Sequence, residues 1–323
     1  MIRAQRQRMK LWGSCEMSPA TASNRRSVDP MRRVAVGLLA ALALVSCSQS
    51  PSGQDPADPV TELPPAIDYV ALGDSAASGP LIPDQVGFAG CLQSDENYPH
   101  VLAGLIGAAS FTDVSCSGAK SENITTVEQI TDSGSVPVQL NALSADTDLV
   151  TITIGGNDVD LVSTARQCIN FSPEPTGRSC RDALTEGGTD KLADAIAAAA
   201  PRWGQVFEDI KGRAPNADVV VVGYGTYVQP GGCYGVQPVW ARDADYLQRS
   251  IDTMNDALAE QASQHGASFV DTRPVSVGHD ACAAGDQRYL EGVFPLNRAA
   301  PLHPTAAGMA AFAQVVGDSL TLN

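Results

Sequence analysis

Positive charge is scarce in this chain of 323 residues, where 21 Lys and Arg stand against 36 Asp and Glu. Residues 1–46 hold eight of the basic residues and only two of the acidic ones, so the remainder carries 13 against 34, a formal charge of −21. A surface of that sign repels polyanions, which argues against nucleic-acid binding. It also disfavours anionic lipid, so any membrane contact is left to an anchor. Metal-binding spacing is missing as well. There is no Cys-x-x-Cys and no close pair among the four histidines, so neither a zinc site nor another metal or cofactor is expected.

What is present begins with a leader. Met31-Arg32-Arg33, the apolar run Val34 to Val45 and then Ser46-Cys47 form the basic start and short apolar core of a secretory signal. The run is too short to span a membrane as a stable helix. Its ending, Leu44-Val45-Ser46-Cys47, resembles a bacterial lipobox, which implies a lipidated Cys47 at the start of the mature protein. The alternative is an ordinary cleaved signal with Cys47 incidental. Met31 then rivals Met1 as the start, with residues 1–30 a misassigned or extended leader. Residues 48–65 are polar and proline-rich, cannot bury a core, and read as a disordered tether. Three parts are therefore expected: residues 1–47 as leader and signal, 48–65 as tether, and 66–323 as one folded domain.

Apart from Cys15 and Cys47, the cysteines are Cys91, Cys116, Cys168, Cys180, Cys233 and Cys282. Six in an exported chain suggest three disulfides, with fifteen pairings open. Sequential pairing is favoured, 91 with 116, 168 with 180 and 233 with 282, because each bond would staple a loop that leaves the sheet.

Within the folded part, short β-branched runs alternate with amphipathic stretches. Ile67 to Ala71, Ser110 to Val114, Asp148 to Ile154, Asp218 to Val222 and Ala267 to Asp271 read as strands. Residues 98–106, 189–212, 243–265 and about 305–320 read as helices, with Pro201 expected to kink or split the second. Such alternation predicts a three-layer α/β/α sandwich on a flavodoxin-like, parallel five-stranded sheet. Sites in such sheets lie at the carboxyl ends of the strands. Four polar loops are predicted there, carrying Ser75, Gly118, Asn157 and His303. An ester hydrolase needs a nucleophilic hydroxyl, a base for its proton, and donors aimed at an oxyanion, and these residues supply each part.

In this respect the chain resembles the SGNH hydrolases, also called GDSL esterases and lipases. Gly73-Asp74-Ser75 looks like the family's first block and Gly118 like its second-block glycine. Gly155-Gly156-Asn157-Asp158 looks like the third block and His303 like the fifth-block histidine, in order over residues 67–320. The cysteines and the stretch Ala76 to Cys91 look most like the secreted bacterial lipase and esterase branch. The resemblance implies Ser75 as nucleophile and His303 as general base and then acid. It also implies an oxyanion hole of the Ser75 and Gly118 N–H groups with the Asn157 amide. The family's usual aspartate three residues before the histidine is Ala300 here. The expected substitute is a main-chain carbonyl, of Ala300 or a neighbour, making a Ser-His dyad; Asp280 or Asp286 is the alternative. Around Ser75, Gly73 is matched by Ala77 and not a glycine, so the Gly-x-Ser-x-Gly elbow of ordinary α/β-hydrolases is absent. His279 is a rival base but reads as structural or substrate-facing, His100 as a first-turn surface residue, and His265 as a helix-end cation.

The resulting expectation is a monomeric serine esterase or lipase acting on carboxylic, fatty acyl esters. It would be secreted or anchored on the outer face of a membrane. Deacetylation of an extracellular sugar is the alternative within the enzyme class, and a catalytically silent surface lipoprotein that binds an acylated ligand the alternative outside it.

Overall fold

Residues 66–320 are described in the computed structural model; the leader, Cys47 and the tether expected over residues 48–65 lie outside them. The strand-forming runs become β1 (Asp68–Gly73), β2 (Ser110–Asp113), β3 (Leu149–Thr153), β4 (Asp218–Val222) and β5 (Ser268–Val270). All pair in parallel in the order β2-β1-β3-β4-β5. This is the flavodoxin-type order, whose switch point lies between the second strand's partner and the third, and loops leaving β1 and β3 open there side by side. The register makes this concrete, since Gly73 at the end of β1 is level with Thr153 at the end of β3.

Side chains of one strand point alternately to the two faces, so each strand feeds two cores. Val70 and Leu72 join Val150, Ile152, Val219 and Val221 under α2 (Lys191–Arg213) and α3 (Ala241–Gln264). Tyr69 and Ala71 join Val220, Val222 and Val270 under α1 (Tyr98–Ile106) and α4 (Ala306–Ser319). Sheets covered on both faces need such unbroken apolar strands. No helix among the described residues is long and apolar enough to cross a membrane.

Of the kink or split expected at Pro201, the split does not occur, and α2 remains helical through all 23 residues. Its ring lies on the exposed face and removes one backbone donor, whereas Ile196, Ala199, Trp203, Phe207 and Ile210 stay buried beneath. Packing of that stripe outweighs the local penalty of about 3 kcal/mol for an interior proline.

The three disulfides pair Cys91 with Cys116, Cys168 with Cys180 and Cys233 with Cys282. Segments the sequence left irregular hold two small antiparallel pairs, Gln85–Val86 with Gln93–Ser94 and Gln129–Thr131 with Gly134–Val136.

Candidate active site

Ser75 opens a single helical turn, Ser75–Ser78, immediately beyond β1. Asp74 caps that turn by accepting from the Ala76 N–H at 2.8 Å, and Gly79 ends it in the left-handed conformation. Gly73 must lack a side chain, because a Cβ there would stand 2.6 Å from the Thr153 carbonyl oxygen. β1 and β3 thus meet closely enough to bring the Ser75 and Asn157 loops together.

His303 reaches the same place from the loop before α4. Its Nε2 lies 2.7 Å from Ser75 Oγ. Its Nδ1 lies 2.8 Å from the main-chain carbonyl of Pro301. The orienting acceptor is therefore the carbonyl of Pro301 and not that of Ala300, which instead accepts from the His303 backbone N–H at 3.2 Å. That backbone bond folds the Ala300–His303 turn, and the Pro301 carbonyl is the one left beside the ring. Neither alternative carboxylate bonds to His303 among the described residues. Asp280 is buried and accepts from the Cys282 N–H at 2.8 Å, and Asp286 lies exposed in the short helix Gly285–Gln287. His279 bonds the Gln287 carbonyl at 2.7 Å and stacks on Tyr289. His100 stays in the first turn of α1, bonded to Asn97.

A buried ion pair holds the histidine loop. Arg288 bonds Glu291 at 2.9 Å, and Glu291 also accepts from the N–H groups of Leu296 and Asn297. The His303 carbonyl accepts from the Glu291 N–H at 2.9 Å, and the Ala300 N–H reaches the Pro80 carbonyl at 2.9 Å. The His303 loop is thereby tied to the Ser75 loop.

Burial of His303 among the cavity walls lowers its pKa from the ordinary 6.5, against the opposing effect of the Pro301 carbonyl. The neutral imidazole, able to accept a proton from Ser75, is thus the favoured form.

Asn157 lines the same cavity as Ser75. The N–H groups of Ser75 and Gly118 have no partner among the described residues. Asn157 Nδ2 gives one of its two protons to the Ala119 carbonyl at 3.0 Å, leaving the other free. Asp158 fixes that loop from below, accepting from the Ser121 N–H and hydroxyl at 3.0 and 2.6 Å and from the Trp203 indole at 2.9 Å.

Next to Ser75 lies a network that the motifs do not reveal. Tyr224 donates to Asp74 Oδ2 at 2.6 Å and accepts from the Gly156 N–H at 2.9 Å, linking the first-block turn to the third-block loop. Desolvation pushes the Asp74 carboxyl up to about 7, despite the bonds from Tyr224 and Ala76. Asp74 and Tyr224 are 150 residues apart, and only the tyrosine at the end of β4 hinted at the contact.

Ser75 and His303 open onto a cavity of about 100 Å³. Its walls include Leu161, Val162, Val228, Val239, Leu247 and Ile251. A hydroxyl bonded to a neutral imidazole, unfilled N–H donors and an aliphatic cavity together suit acyl transfer from an apolar ester. Among the described residues, no group of three or more His, Cys, Asp or Glu could hold a metal ion.

Residues 71–311 match the GDSL-like Lipase/Acylhydrolase family. The chain is 34% identical to Lipase 2 of Streptomyces coelicolor over 299 residues, 91% of this chain and 98% of that protein. It is 31% identical to a lipase of Streptomyces rimosus, over 75% of this chain and 82% of the relative. Among solved structures, phospholipase A1 from Streptomyces albidoflavus aligns with a TM-score of 0.65 at 26% identity, covering 79% of this chain and 100% of that one. The extracellular lipase of Streptomyces rimosus gives a TM-score of 0.65 at 29% identity, with the same coverage.

Proposed function

This chain belongs to the GDSL-like lipase/acylhydrolase family and is a carboxylic ester hydrolase with lipase or esterase activity; we propose that it cleaves fatty acyl esters through a dyad of Ser75 and His303. The observation that carries this reading is the 2.7 Å bond between Ser75 Oγ and His303 Nε2 at the mouth of an aliphatic cavity.

In the proposed mechanism His303 Nε2 takes the Ser75 proton as Oγ attacks the acyl carbonyl. Nδ1–H stays bonded to the Pro301 carbonyl, which fixes the tautomer and the ring. The oxyanion is met by the N–H groups of Ser75 and Gly118 and by the Asn157 amide. Losing one such donor costs about 3 kcal/mol in the transition state. The imidazolium returns its proton to the leaving alkoxide, and an acyl-enzyme remains. His303 then deprotonates a water, whose attack frees the acid and restores the serine.

The aliphatic walls support a fatty acyl chain in the cavity over the polar face of a sugar, and the relatives include lipases and a phospholipase A1. Measured with p-nitrophenyl esters, Ser75→Ala is expected to abolish hydrolysis. A fluorophosphonate is expected to label Ser75 and to fail when His303 is changed to Ala. Equal rates in wild type and Ser75→Ala would end the assignment of Ser75.

We further propose export followed by lipidation of Cys47, with residues 48–65 tethering the catalytic domain to the outer face of the membrane. Disulfides suit an oxidising compartment, and one structural relative is an extracellular lipase. Cys47→Ala is expected to move the enzyme from the membrane fraction to the medium, and an unchanged distribution would refute the anchor.

A further inference from the structure

The turn that carries Gly118 belongs to a type with two interconvertible forms. Cys116–Ala119 is a β-turn closed by the Ala119 N–H on the Cys116 carbonyl at 3.0 Å, with Gly118 at φ +85° in its third position. That is the type II arrangement, which favours glycine there. Type I differs chiefly by rotation of the central peptide, Ser117–Gly118, through about half a turn. A trans peptide holds its C=O and N–H pointing in opposite directions, so the rotation would reverse both. The closing hydrogen bond is common to the two forms and does not choose between them.

A contact from outside the turn does choose. Gln129 Nε2 donates to the Ser117 carbonyl at 2.7 Å, and this carbonyl belongs to the rotating peptide. The Cys91–Cys116 disulfide and the bond from the Ser117 N–H to the Cys91 carbonyl hold the turn's entry, but neither touches that carbonyl. Gln129 is the first residue of the hairpin formed by Gln129–Thr131 and Gly134–Val136, which lies against this loop and has no other evident link to the chemistry. Its remaining amide atom, Oε1, is buried with no partner among the described residues. A buried orphan acceptor costs about 1–3 kcal/mol, as much as or more than one hydrogen bond returns. The bond to the Ser117 carbonyl is thus offset by the cost of the orphan acceptor and contributes little net stability.

We propose that Gln129 is a positioning residue that locks the Ser117–Gly118 peptide in the orientation presenting the Gly118 N–H to the substrate oxyanion. The proposal rests on the assignment of Gly118 as an oxyanion donor.

Gln129→Leu and Gln129→Met both remove the donor and the orphan acceptor, the second keeping the length of the side chain. For both, kcat on a soluble p-nitrophenyl ester is expected to fall about tenfold, less than the roughly 10²–10³ lost when a donor is deleted outright. KM is expected to move by less than about twofold, because the interaction forms only in the transition state. Affinity for a trifluoromethyl ketone, which forms a tetrahedral adduct on serine, should fall with kcat, while binding of the fatty acid product is retained. The thermal midpoint of Gln129→Leu should not decrease. Wild-type kcat in either variant, or a loss confined to KM, overturns the proposal. An amide-to-ester replacement at Gly118, glycolic acid in place of glycine by semisynthesis, removes that N–H and distinguishes the two levels of failure. If it keeps wild-type kcat, Gly118 is no oxyanion donor and the underlying assignment falls. If it loses activity while the Gln129 variants do not, the role of Gln129 alone falls.

Discussion

At the scale of single residues, the environment of His303 has a measurable sign. Burial lowers its pKa below 6.5, so the imidazole stays neutral, and able to accept from Ser75, in more acidic solution than an exposed histidine would. Protonation below that lowered pKa leaves nothing to take the serine proton. The acid limb of kcat/KM is thus expected below pH 6.5, and a limb above it in a pH–rate profile would contradict this. The side chains of the proposed site were open to a sequence reading, because Ser75, Asn157 and His303 announce their chemistry by type and by position after a strand or before a helix. Their supports were not. Pro301 acts through its main chain, which every residue possesses, and Tyr224 finds Asp74 only once β1 and β4 are folded into one sheet.

At the scale of elements, helix α2 both shields the sheet and supports the third block. Trp203 is fully buried, its indole N–H bonds Asp158, and a Cβ on Gly155 would stand 3.2 Å from its ring. Trp203→Phe retains most of the apolar contact but deprives Asp158 of one donor. It is expected to cost about 1–3 kcal/mol in urea unfolding and to lower kcat through the Asn157 loop. Unchanged stability together with unchanged kcat would show that the indole bond does neither job. The same helix marks a limit of local reasoning. Proline at 201 is a breaker by its covalent structure, yet the buried stripe from Ile196 to Ile210 holds the helix together, and strength of packing is not written at the position of the proline. The hairpin at 129–136 escaped notice for the complementary reason, being short and without a long apolar alternation.

At the scale of the whole molecule, α/β alternation was readable from end to end because a parallel sheet needs both buried strands and covering helices. The cavity was not, since its walls come from the Ser75 turn, the helix Leu161–Gln167, the loop after β4, α3 and the segment around Val293. Its depth should set acyl preference. Each buried methylene is worth about 0.8 kcal/mol, so lost depth penalises long chains progressively. Val162→Trp is expected to cut kcat/KM for an octanoyl ester about tenfold while leaving the acetyl ester within about twofold of wild type. Equal losses on both esters would mean that Val162 does not border the acyl path.

The carbonyl that receives His303 belongs to no side chain, and this changes what mutation can do to the site. Alanine scanning would pass over one member of the relay without registering it, since Pro301→Ala retains the acceptor atom. What the loop cannot absorb is a change of length. Inserting or deleting one residue between Ala300 and His303 would carry the carbonyl away from the ring while leaving every reactive letter in place. This stretch should therefore drift freely in composition and hardly at all in spacing.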